Sequence, residues 1–318
     1  MSVAAAVLAA GEGKRLHTRH AKVLHEAGGR PLIDHVLAAL APVGPDPLVV
    51  VVGHQREEVT AHLAGRAAIA VQDPPRGTGD AVRCALPRLP AGGDLLVLSG
   101  DVPLLTAATL RALVDLRHRS GAAAVVATAV LPDPGSYGRI VRDPAGDVAA
   151  IVEARDATAA QAAIREVNAG TYAFELTALR PALARLAPDN DQGEFYLTDV
   201  VAALVRGGSR VAGLSLADAA EMAGVNTRAD LAEVNRLLNA RVLRRLQDAG
   251  VTVLDPGSTW VEGDCRVGAD TVLEPGVQLR RGCVVGVACR IGAHAVLDGA
   301  AVPDGASVAP LTRRSGRD

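Results

Sequence analysis

The chain has 318 residues, enough for two domains that each bury a core, and a formal net charge of -2. This balance of charge, without a basic stripe, argues against a nucleic-acid-binding protein, and the lack of a long apolar segment argues against membrane insertion. The four cysteines form no C-x-x-C pair, and the eight histidines make no metal-ligand cluster with them, so a reduced cytoplasmic setting is expected.

An apolar run from Val3 to Leu8 predicts a buried first strand. A secretory signal is the alternative, but no basic segment precedes the run and the charges after it are wrong for a cleavage site. A turn from Gly11 to Gly13 follows the strand, with Lys14, Arg15 and Lys22 close behind. Glycines that let backbone N–H groups approach an anion, next to cations, are typical of phosphate-binding loops, although a lone G-x-G is a weak signal.

Strand and helix patterns alternate along the first two thirds of the chain. Further strands are predicted at 47–53, 94–101 and 122–131, and helices at 31–40 and 106–121. Pro31 is expected in the first turn of its helix, while Thr106 and Gly121 are expected to cap the other one. Such alternation predicts an α/β fold with a mainly parallel sheet, in which ligands bind at the carboxyl ends of the strands.

A long amphipathic pattern at 227–249 predicts a helix. We interpret this helix as a connector between two domains. The last helix of the first domain is nearly as good an interpretation. The predicted division is therefore a first domain at 1–226, a connecting helix at 227–250 and a second domain at 251–318.

From Val261 the chain reads in hexads, and hexapeptide repeats with an aliphatic first position predict a parallel β-helix. The first position is aliphatic as far as Leu297 and is then Pro303, where the register decays. The fifth position holds modest side chains, namely Cys265, Thr271, Val277, Cys283, Cys289, Ala295, Ala301 and Ser307. With three hexads per coil, Cys265 and Cys283 should stack as packing residues in one interior column. The basic tail RRSGR after the repeats is expected to be frayed.

The opening loop carries the pattern L-A-A-G-x-G-x-R, with Lys22 seven residues after Arg15, and it resembles the signature loop of the sugar-1-phosphate nucleotidyltransferases. Other motifs follow in the order typical of that family: QDPPRGTGDA (72–81), LSGDVPLL (98–105), YGRIVR (137–142), IVEARDAT (151–158), VNAGTYAF (167–174), GEFYLTDVV (193–201) and AGVNTRADL (223–231). With the hexads behind them, the chain looks like the bacterial N-acetylglucosamine-1-phosphate uridyltransferases over nearly its whole length. The resemblance implies a Rossmann-like nucleotidyltransferase domain followed by a left-handed β-helix.

The resemblance also implies a reaction, in which UTP and N-acetylglucosamine 1-phosphate give UDP-N-acetylglucosamine and pyrophosphate with the help of Mg²⁺. Arg15 should hold the leaving pyrophosphate, and Lys22 the reacting phosphates. Asp101 and Asn226 match the magnesium ligands of the family, and one carboxylate with one amide suits an ion that keeps several waters. The catalytic set implied is thus Arg15, Lys22 and Asp101.

Uracil recognition falls, by the same resemblance, to the Leu8–Gly11 backbone, Gln72, Gly77 and Thr78, because a glutamine offers both the donor and the acceptor that a pyrimidine edge needs. Recognition of the sugar and its N-acetyl group falls to Gly138, Glu153 and Asn168. The full set of residues expected to bind substrate is Leu8, Ala9, Ala10, Gly11, Gly13, Lys22, Gln72, Gly77, Thr78, Ser99, Gly100, Gly138, Glu153, Asn168 and Asn226.

The chain departs from the family at five positions. The family usually has a small residue at Lys14, proline at Ala21, histidine at Asp80, tyrosine at Ser99 and threonine at Ala169. Two of these, Ser99 and Ala169, lie close to the expected sugar site, so a nucleotidyltransferase for another sugar phosphate or nucleotide stays an alternative. A catalytically silent sugar-nucleotide-binding module is the alternative from another functional class.

The family usually continues into a glucosamine-1-phosphate acetyltransferase whose site needs residues beyond 318 and a neighbouring subunit. We therefore expect no acetyltransferase activity from these 318 residues. The β-helix of the family also forms trimers, and a homotrimer through the hexads is expected here.

Overall fold

The computed structural model describes residues 3–188 and 192–316. The chain divides into two compact units, one of Met1–His25 with Leu32–Thr227 and one of Glu26–Pro31 with Arg228–Asp318. The division predicted at residues 226 and 250 stays a prediction. Among the described residues, no helix combines the length and the apolar character that crossing a membrane requires.

Strands and helices alternate through the first unit as predicted. In chain order the elements up to Ser215 are β1 (Val3–Ala9), β2 (Glu26–Ala27), β3 (Arg30–Pro31), α1 (Leu32–Leu40), β4 (Leu48–Val52), α2 (Arg56–Leu63), β5 (Ala68–Val71), α3 (Thr78–Ala85), β6 (Asp94–Ser99), α4 (Ala107–Ser120), β7 (Ala124–Val130), β8 (Arg139–Arg142), β9 (Val148–Val152), α5 (Ala159–Ala162), β10 (Glu166–Glu175), α6 (Leu176–Ala184), α7 (Thr198–Arg206) and β11 (Val211–Ser215). Of these, β2 and β3 pair as a hairpin that belongs to the second unit.

The first unit is built on a mainly parallel sheet, as the alternation predicted. Its strand order is β11-β7-β10-β6-β1-β4-β5, with β8 paired to β10 and β9 paired to β8. Along this path, within the described residues, β10 runs antiparallel to both of its neighbours, and the other strands share one direction. The carboxyl ends of β1, β4, β5 and β6 therefore lie along one edge, where ligands bind in such sheets.

Both faces of this sheet are covered by helices. The side chains of β1 alternate between two clusters, with Ala4 and Ala6 in one and Ala5 and Val7 in the other. Helices α3, α6 and α7 contribute to the first cluster, and α1, α2 and α4 to the second. A central strand that is buried on both faces reads as a continuous apolar run, which explains the sequence VAAAVLA.

The predicted helix caps are confirmed in α4 and corrected in α1. The Thr106 hydroxyl accepts a hydrogen bond from the Thr109 N–H, and Gly121 adopts the left-handed conformation with φ 62°. The prediction that Pro31 lies in the first turn of its helix was wrong, because Pro31 pairs with Glu26 in the hairpin and α1 begins at Leu32. A proline at the end of a strand needs no N–H for the ladder, so pairing is possible there.

The second unit combines the hairpin, one long helix and a series of short parallel strands. Helix α8 spans Arg228–Asp248, and its Asn235 Oδ1 accepts a hydrogen bond of 2.9 Å from the Gly28 N–H of the hairpin. The strands are β12 (Thr252–Val253), β13 (Trp260–Val261), β14 (Arg266–Val267), β15 (Val272–Leu273), β16 (Gln278–Arg280), β17 (Val284–Val285), β18 (Arg290–Ile291), β19 (Val296–Asp298), β20 (Ala301–Val302), β21 (Ser307–Val308) and β22 (Arg313–Ser315). They form three parallel sheets, which is the arrangement of a short β-helix.

The predicted interior column of cysteines is confirmed. Pairing of Arg266 with Val284 places Cys265 and Cys283 at equivalent positions of successive coils, and both are buried. The Cys283 thiol donates to the backbone carbonyls of Arg280 and Leu297 at 3.0 and 3.1 Å. All four cysteines are free thiols.

The predicted hexad register is wrong after Leu297, because the next coil is one residue shorter. The corner made by Arg281 and Gly282, both at positive φ, has Gly299 alone as its counterpart. Val302 therefore takes the interior position predicted for Pro303, which is exposed. The tail predicted to be frayed is also a strand as far as Ser315, paired with β19, while Arg317 lies outside the described residues.

Candidate active site

The glycine-rich loop begins where β1 ends, at the ligand-binding edge of the sheet. Gly13 has φ 63°, and a Cβ there would lie 2.9 Å from the Cβ of Lys22. Glycine is thus required at this position both by the backbone and by the neighbouring side chain. At Gly11, by contrast, an added Cβ would meet no atom within 4 Å. Open space beside the Gly11 backbone is what a loop that receives a ligand requires.

Three residues far apart in the sequence meet next to this loop. The Lys22 ammonium forms an ion pair with the Asp101 carboxylate and donates a hydrogen bond of 2.8 Å to Asn226 Oδ1. The side chains of Lys22 and Asp101 are only 13% and 17% exposed. The Asp101 carbonyl also accepts a hydrogen bond of 3.0 Å from the Val225 N–H, which ties the loop after β6 to the segment that carries Asn226.

The donor set of Asp101 and Asn226 fits a magnesium ion. Their oxygens converge on a single nitrogen, that of Lys22, so both can approach one small cation. Carboxylate and amide oxygens are hard ligands of the kind that Mg²⁺ prefers. Within the described residues no group of three or more His, Cys, Asp and Glu side chains could hold a metal. Any metal here would thus rely on phosphate and water for its other ligands.

Lys14 and Arg15, the two cations directly after the glycines, are exposed, unlike Lys22. Lys14 pairs with Glu12 at 2.7 Å, and this pair lowers the pKa of Glu12 through a hydrogen bond and through charge attraction. Arg15 lies on a single 3₁₀ turn, Lys14–Leu16, and is exposed. The turn is anchored by Leu16, which is fully buried. The structure therefore brings Lys22, Asp101 and Asn226 into contact, but it does not bring Arg15 into that contact.

The residues expected to bind uracil surround the ends of β1 and β5. Gln72 directly follows β5 and is 3% exposed, and its Nε2 donates to the Gly77 carbonyl at 2.9 Å. Gly77 has φ 103°, and a Cβ there would lie 2.6 Å from the Phe195 carbonyl oxygen. The Thr78 hydroxyl accepts a hydrogen bond of 3.0 Å from the Leu197 N–H. Thr78 is therefore held by the segment before α7.

The segments Leu8–Ala10 and Ser99–Gly100 lie side by side. Leu8 pairs with Ser99, and the Leu8 carbonyl accepts a hydrogen bond of 2.9 Å from the Gly100 N–H. A Cβ on Gly100 would lie 3.5 Å from the Cβ of Ala9. Ala10 in turn limits the space at Gly53, where a Cβ would lie 2.9 Å from the Ala10 Cβ. Small residues thus keep these strand ends close together.

The residues expected to bind the sugar also lie together. The Gly138 carbonyl accepts a hydrogen bond of 2.8 Å from the Asn168 N–H, and a Cβ on Gly138 would lie 3.6 Å from both carboxylate oxygens of Glu153. The Asn168 amide already donates to the Tyr172 hydroxyl at 2.7 Å and accepts from the Gly170 N–H at 3.0 Å. Asn168 therefore also shapes the bulge of β10 at this point.

Thr198 is a contact of this group that no sequence pattern identified. Its hydroxyl donates to Glu153 Oε1 at 3.0 Å. Thr198 directly follows Leu197, whose N–H donates to Thr78, so the start of α7 links the residues expected to bind uracil to those expected to bind the sugar. The motif GEFYLTDVV contains Thr198, but the family pattern alone does not indicate which of its residues faces Glu153.

Glu153 is predicted to combine a cost in stability with a gain in activity. Burial raises the pKa of Glu153, against a smaller lowering by the Thr198 hydrogen bond. The folded protein thus holds this proton more tightly than the unfolded chain, and stability falls as pH rises through the interval between the two pKa values. We expect Glu153→Gln to raise the melting temperature at pH 8 but not at pH 4. The same substitution should slow turnover about tenfold, because an amide accepts a hydrogen bond from a sugar hydroxyl less strongly than a carboxylate does. Melting curves at both pH values check the sign; stabilisation confined to pH 4 would contradict it.

Glu58 supports the chain just before Lys22, and no sequence motif points to it. Its carboxylate accepts a hydrogen bond of 2.9 Å from the Ala21 N–H and lies 3.0 Å from His20 Nδ1. Ala21 has φ -56°, the value that a proline ring fixes. In this chain Ala21 occupies the position where the family usually has a proline, and its N–H, which a proline would lack, is bound by Glu58.

We expect Glu58→Ala to lower kcat about fivefold, because the segment that carries Lys22 becomes less ordered. Adding Ala21→Pro should restore most of the loss, since proline fixes the same φ and has no N–H to satisfy. Steady-state rates of the parent, the single variant and the double variant check this. Failure of the proline to restore kcat would mean that Glu58 acts through other contacts.

Comparisons with known proteins identify a family and several similar chains. The family model of the MobA-like NTP transferase domain matches residues 5–253. The chain is 49% identical over 316 residues to the bifunctional protein GlmU of Thermobifida fusca, covering 97% of this chain and 65% of that protein. It is 48% identical to the bifunctional protein GlmU of Nocardia farcinica and 47% identical to that of Mycobacterium marinum, covering 96% of this chain and 64% of each relative. The chain thus spans somewhat less than two thirds of the length of these relatives.

Proposed function

Because the chain belongs to the family of MobA-like NTP transferase domains, we propose that it transfers the uridylyl group of UTP to N-acetylglucosamine 1-phosphate. The observation that carries the proposal is the meeting of Lys22, Asp101 and Asn226 beside the glycine-rich loop. A partly buried cation, two hard oxygen ligands and an open backbone are what a triphosphate requires. The substrates are those that the sequence motifs imply.

In this proposal the sugar phosphate oxygen attacks the α-phosphorus of UTP in line. A new P–O bond forms, the bond between the α-phosphorus and the bridging oxygen breaks, and pyrophosphate leaves. Such a step needs alignment and charge neutralisation rather than covalent help from the protein. Asp101 and Asn226 would hold a magnesium ion, which when bound offsets the negative charge of the phosphates.

The chain's own residues divide the remaining work. Lys22 binds the reacting phosphates, and Arg15, exposed on its 3₁₀ turn, can close onto the leaving pyrophosphate. Gln72 and the Leu8–Gly11 backbone hold the base. Glu153 binds sugar hydroxyls, with its carboxylate oriented by Thr198.

The test is pyrophosphate release with Mg²⁺ and UTP in the presence of N-acetylglucosamine 1-phosphate, glucose 1-phosphate or glucosamine 1-phosphate. Release with the N-acetyl sugar alone is expected. Release with another sugar would keep the reaction and overturn the sugar assignment, in line with the unusual Ser99 and Ala169. No release with any sugar, from folded protein, would favour a silent binding module.

A homotrimer formed through the β-helix, and a reduced cytoplasmic setting for the free cysteines, stay predictions that accompany this proposal. The expectation that these 318 residues lack acetyltransferase activity also stays a prediction. Acetyl transfer to glucosamine 1-phosphate by the purified chain would refute it.

A further inference from the structure

Gln72 is held by two acceptors at once. Its Nε2 donates to the Gly77 carbonyl at 2.9 Å and to Asp80 Oδ2 at 3.0 Å. Both Gln72 and Asp80 are nearly fully buried, at 3% and 4% exposure. Asp80 is held in turn by Arg76, whose guanidinium lies 3.1 Å from Asp80 Oδ1 in an ion pair.

These partners permit one orientation of the Gln72 carboxamide. A backbone carbonyl and a carboxylate are both acceptors, so the nitrogen of the amide must face them. Turning the amide over would set Gln72 Oε1 against two acceptors and leave buried hydrogen-bonding groups unpaired, which is strongly unfavourable. The two N–H groups of Gln72 are thereby used, and its Oε1 is left to accept from a ligand.

We propose that Asp80 is a positioning residue that selects the base of the nucleotide by fixing this orientation. The inference rests on the proposed function, in which Gln72 contacts the base. A fixed Oε1 accepts from the N3–H of uracil, whereas N3 of cytosine is itself an acceptor and is repelled. Thymine carries the same N3–H as uracil, so this device separates UTP from CTP and does not separate UTP from dTTP.

The same contacts account for the unusual residue at this position. An ionised aspartate is an acceptor only, whereas a histidine can offer either a donor or an acceptor, depending on its tautomer. Asp80, paired with Arg76, gives the Gln72 amide nitrogen a carboxylate acceptor at this position. Asp80 lies in the first turn of α3 and is a positioning residue rather than a catalytic one.

The test measures kcat/KM for UTP, CTP and dTTP, with N-acetylglucosamine 1-phosphate and Mg²⁺, in the parent and three variants. Asp80→Leu removes the acceptor, so the preference for UTP over CTP should fall about tenfold, while the ratio of UTP to dTTP stays as in the parent. Asp80→Asn keeps a weaker acceptor, and its amide can also rotate to present a donor. Its preference for UTP over CTP should therefore lie between those of the parent and Asp80→Leu. Asp115→Asn, an exposed acid on α4, is the control and should match the parent.

An Asp80→Leu variant that lowers all three values equally, with the UTP to CTP ratio unchanged, would overturn the inference and leave the proposed function standing. Should that variant fail to fold, an Asp80→Asn ratio equal to that of the parent would overturn it in the same way. A parent with no turnover of UTP would overturn the proposed function together with the inference, whereas a parent that uses UTP and CTP equally well would overturn the inference alone. Turnover of UTP by the parent therefore distinguishes a failure of the proposed function from a failure of the inference.

Discussion

Asp101→Asn is expected to slow pyrophosphate release by at least about a hundredfold while the protein stays folded. The substitution keeps the shape of the side chain but removes a negative charge that faces Lys22 in a site largely closed to water. In the proposed function Asp101 holds the ion that offsets phosphate charge, and loss of one such electrostatic contribution typically costs a factor of about 10² to 10³. Initial rates with saturating UTP and sugar phosphate, together with thermal unfolding curves, measure the two effects separately.

The dependence on magnesium distinguishes a metal ligand from a residue that only supports the fold. If Asp101 holds the metal, the Asn variant should need a higher Mg²⁺ concentration for its half-maximal rate, because one anionic ligand is lost. Near-normal turnover at low Mg²⁺ would refute the assignment of Asp101 as a metal ligand. Asn226→Asp instead adds an anionic ligand, so the Mg²⁺ concentration that gives its half-maximal rate should fall.

Lys22→Ala should lower kcat by about two to three orders of magnitude. Its ammonium is the partly buried cation that lies between the Asp101 and Asn226 oxygens, and truncation leaves the reacting phosphates without it. Lys22→Arg should rescue little, because a larger planar guanidinium has to replace the compact ammonium between the Asp101 and Asn226 oxygens.

Arg206→Ala is the matched control for the loss of a cation. Arg206 is exposed at the end of α7 and lies outside every motif of the proposed site. Its removal should change kcat by less than about twofold, since isolated surface charges contribute little. Equal effects of the two substitutions would mean that Lys22 is an ordinary surface residue.

Much of the fold could be predicted because its signals are local. The apolar run of β1, the Thr106 cap and the hexads each depend on residues that lie within one element or one repeat. The errors occurred where a tertiary contact overrides the local pattern. Pro31 reads as the start of a helix but is recruited into a hairpin, and the repeat after Leu297 loses a residue at a corner.

The candidate site divides in the same way. Lys22, Asp101 and Asn226 were identified through motifs, but only the fold shows that their side-chain atoms meet at one point. Glu58 carries no sequence signal, and Thr198 lies within a motif that does not single it out, because each acts through a hydrogen bond to a residue distant in the chain. A single glutamate on an exposed helix face or a threonine at a helix start is too common to be identified from sequence alone.

The shortened coil places Ala300 in the interior, where an unbroken repeat of six would place Ala301. The residue that tolerates substitution is therefore Ala301. Ala300 is 2% exposed, and its carbonyl accepts a hydrogen bond from the Val284 N–H in the coil before it, whereas Ala301 is exposed. A larger side chain at residue 300 has to enter a packed interior, while a charged or bulky one at residue 301 meets solvent. Related sequences aligned on an unbroken repeat of six would be misread here. Substitutions at residue 301 would be read as changes to a core position, although the core residue is Ala300.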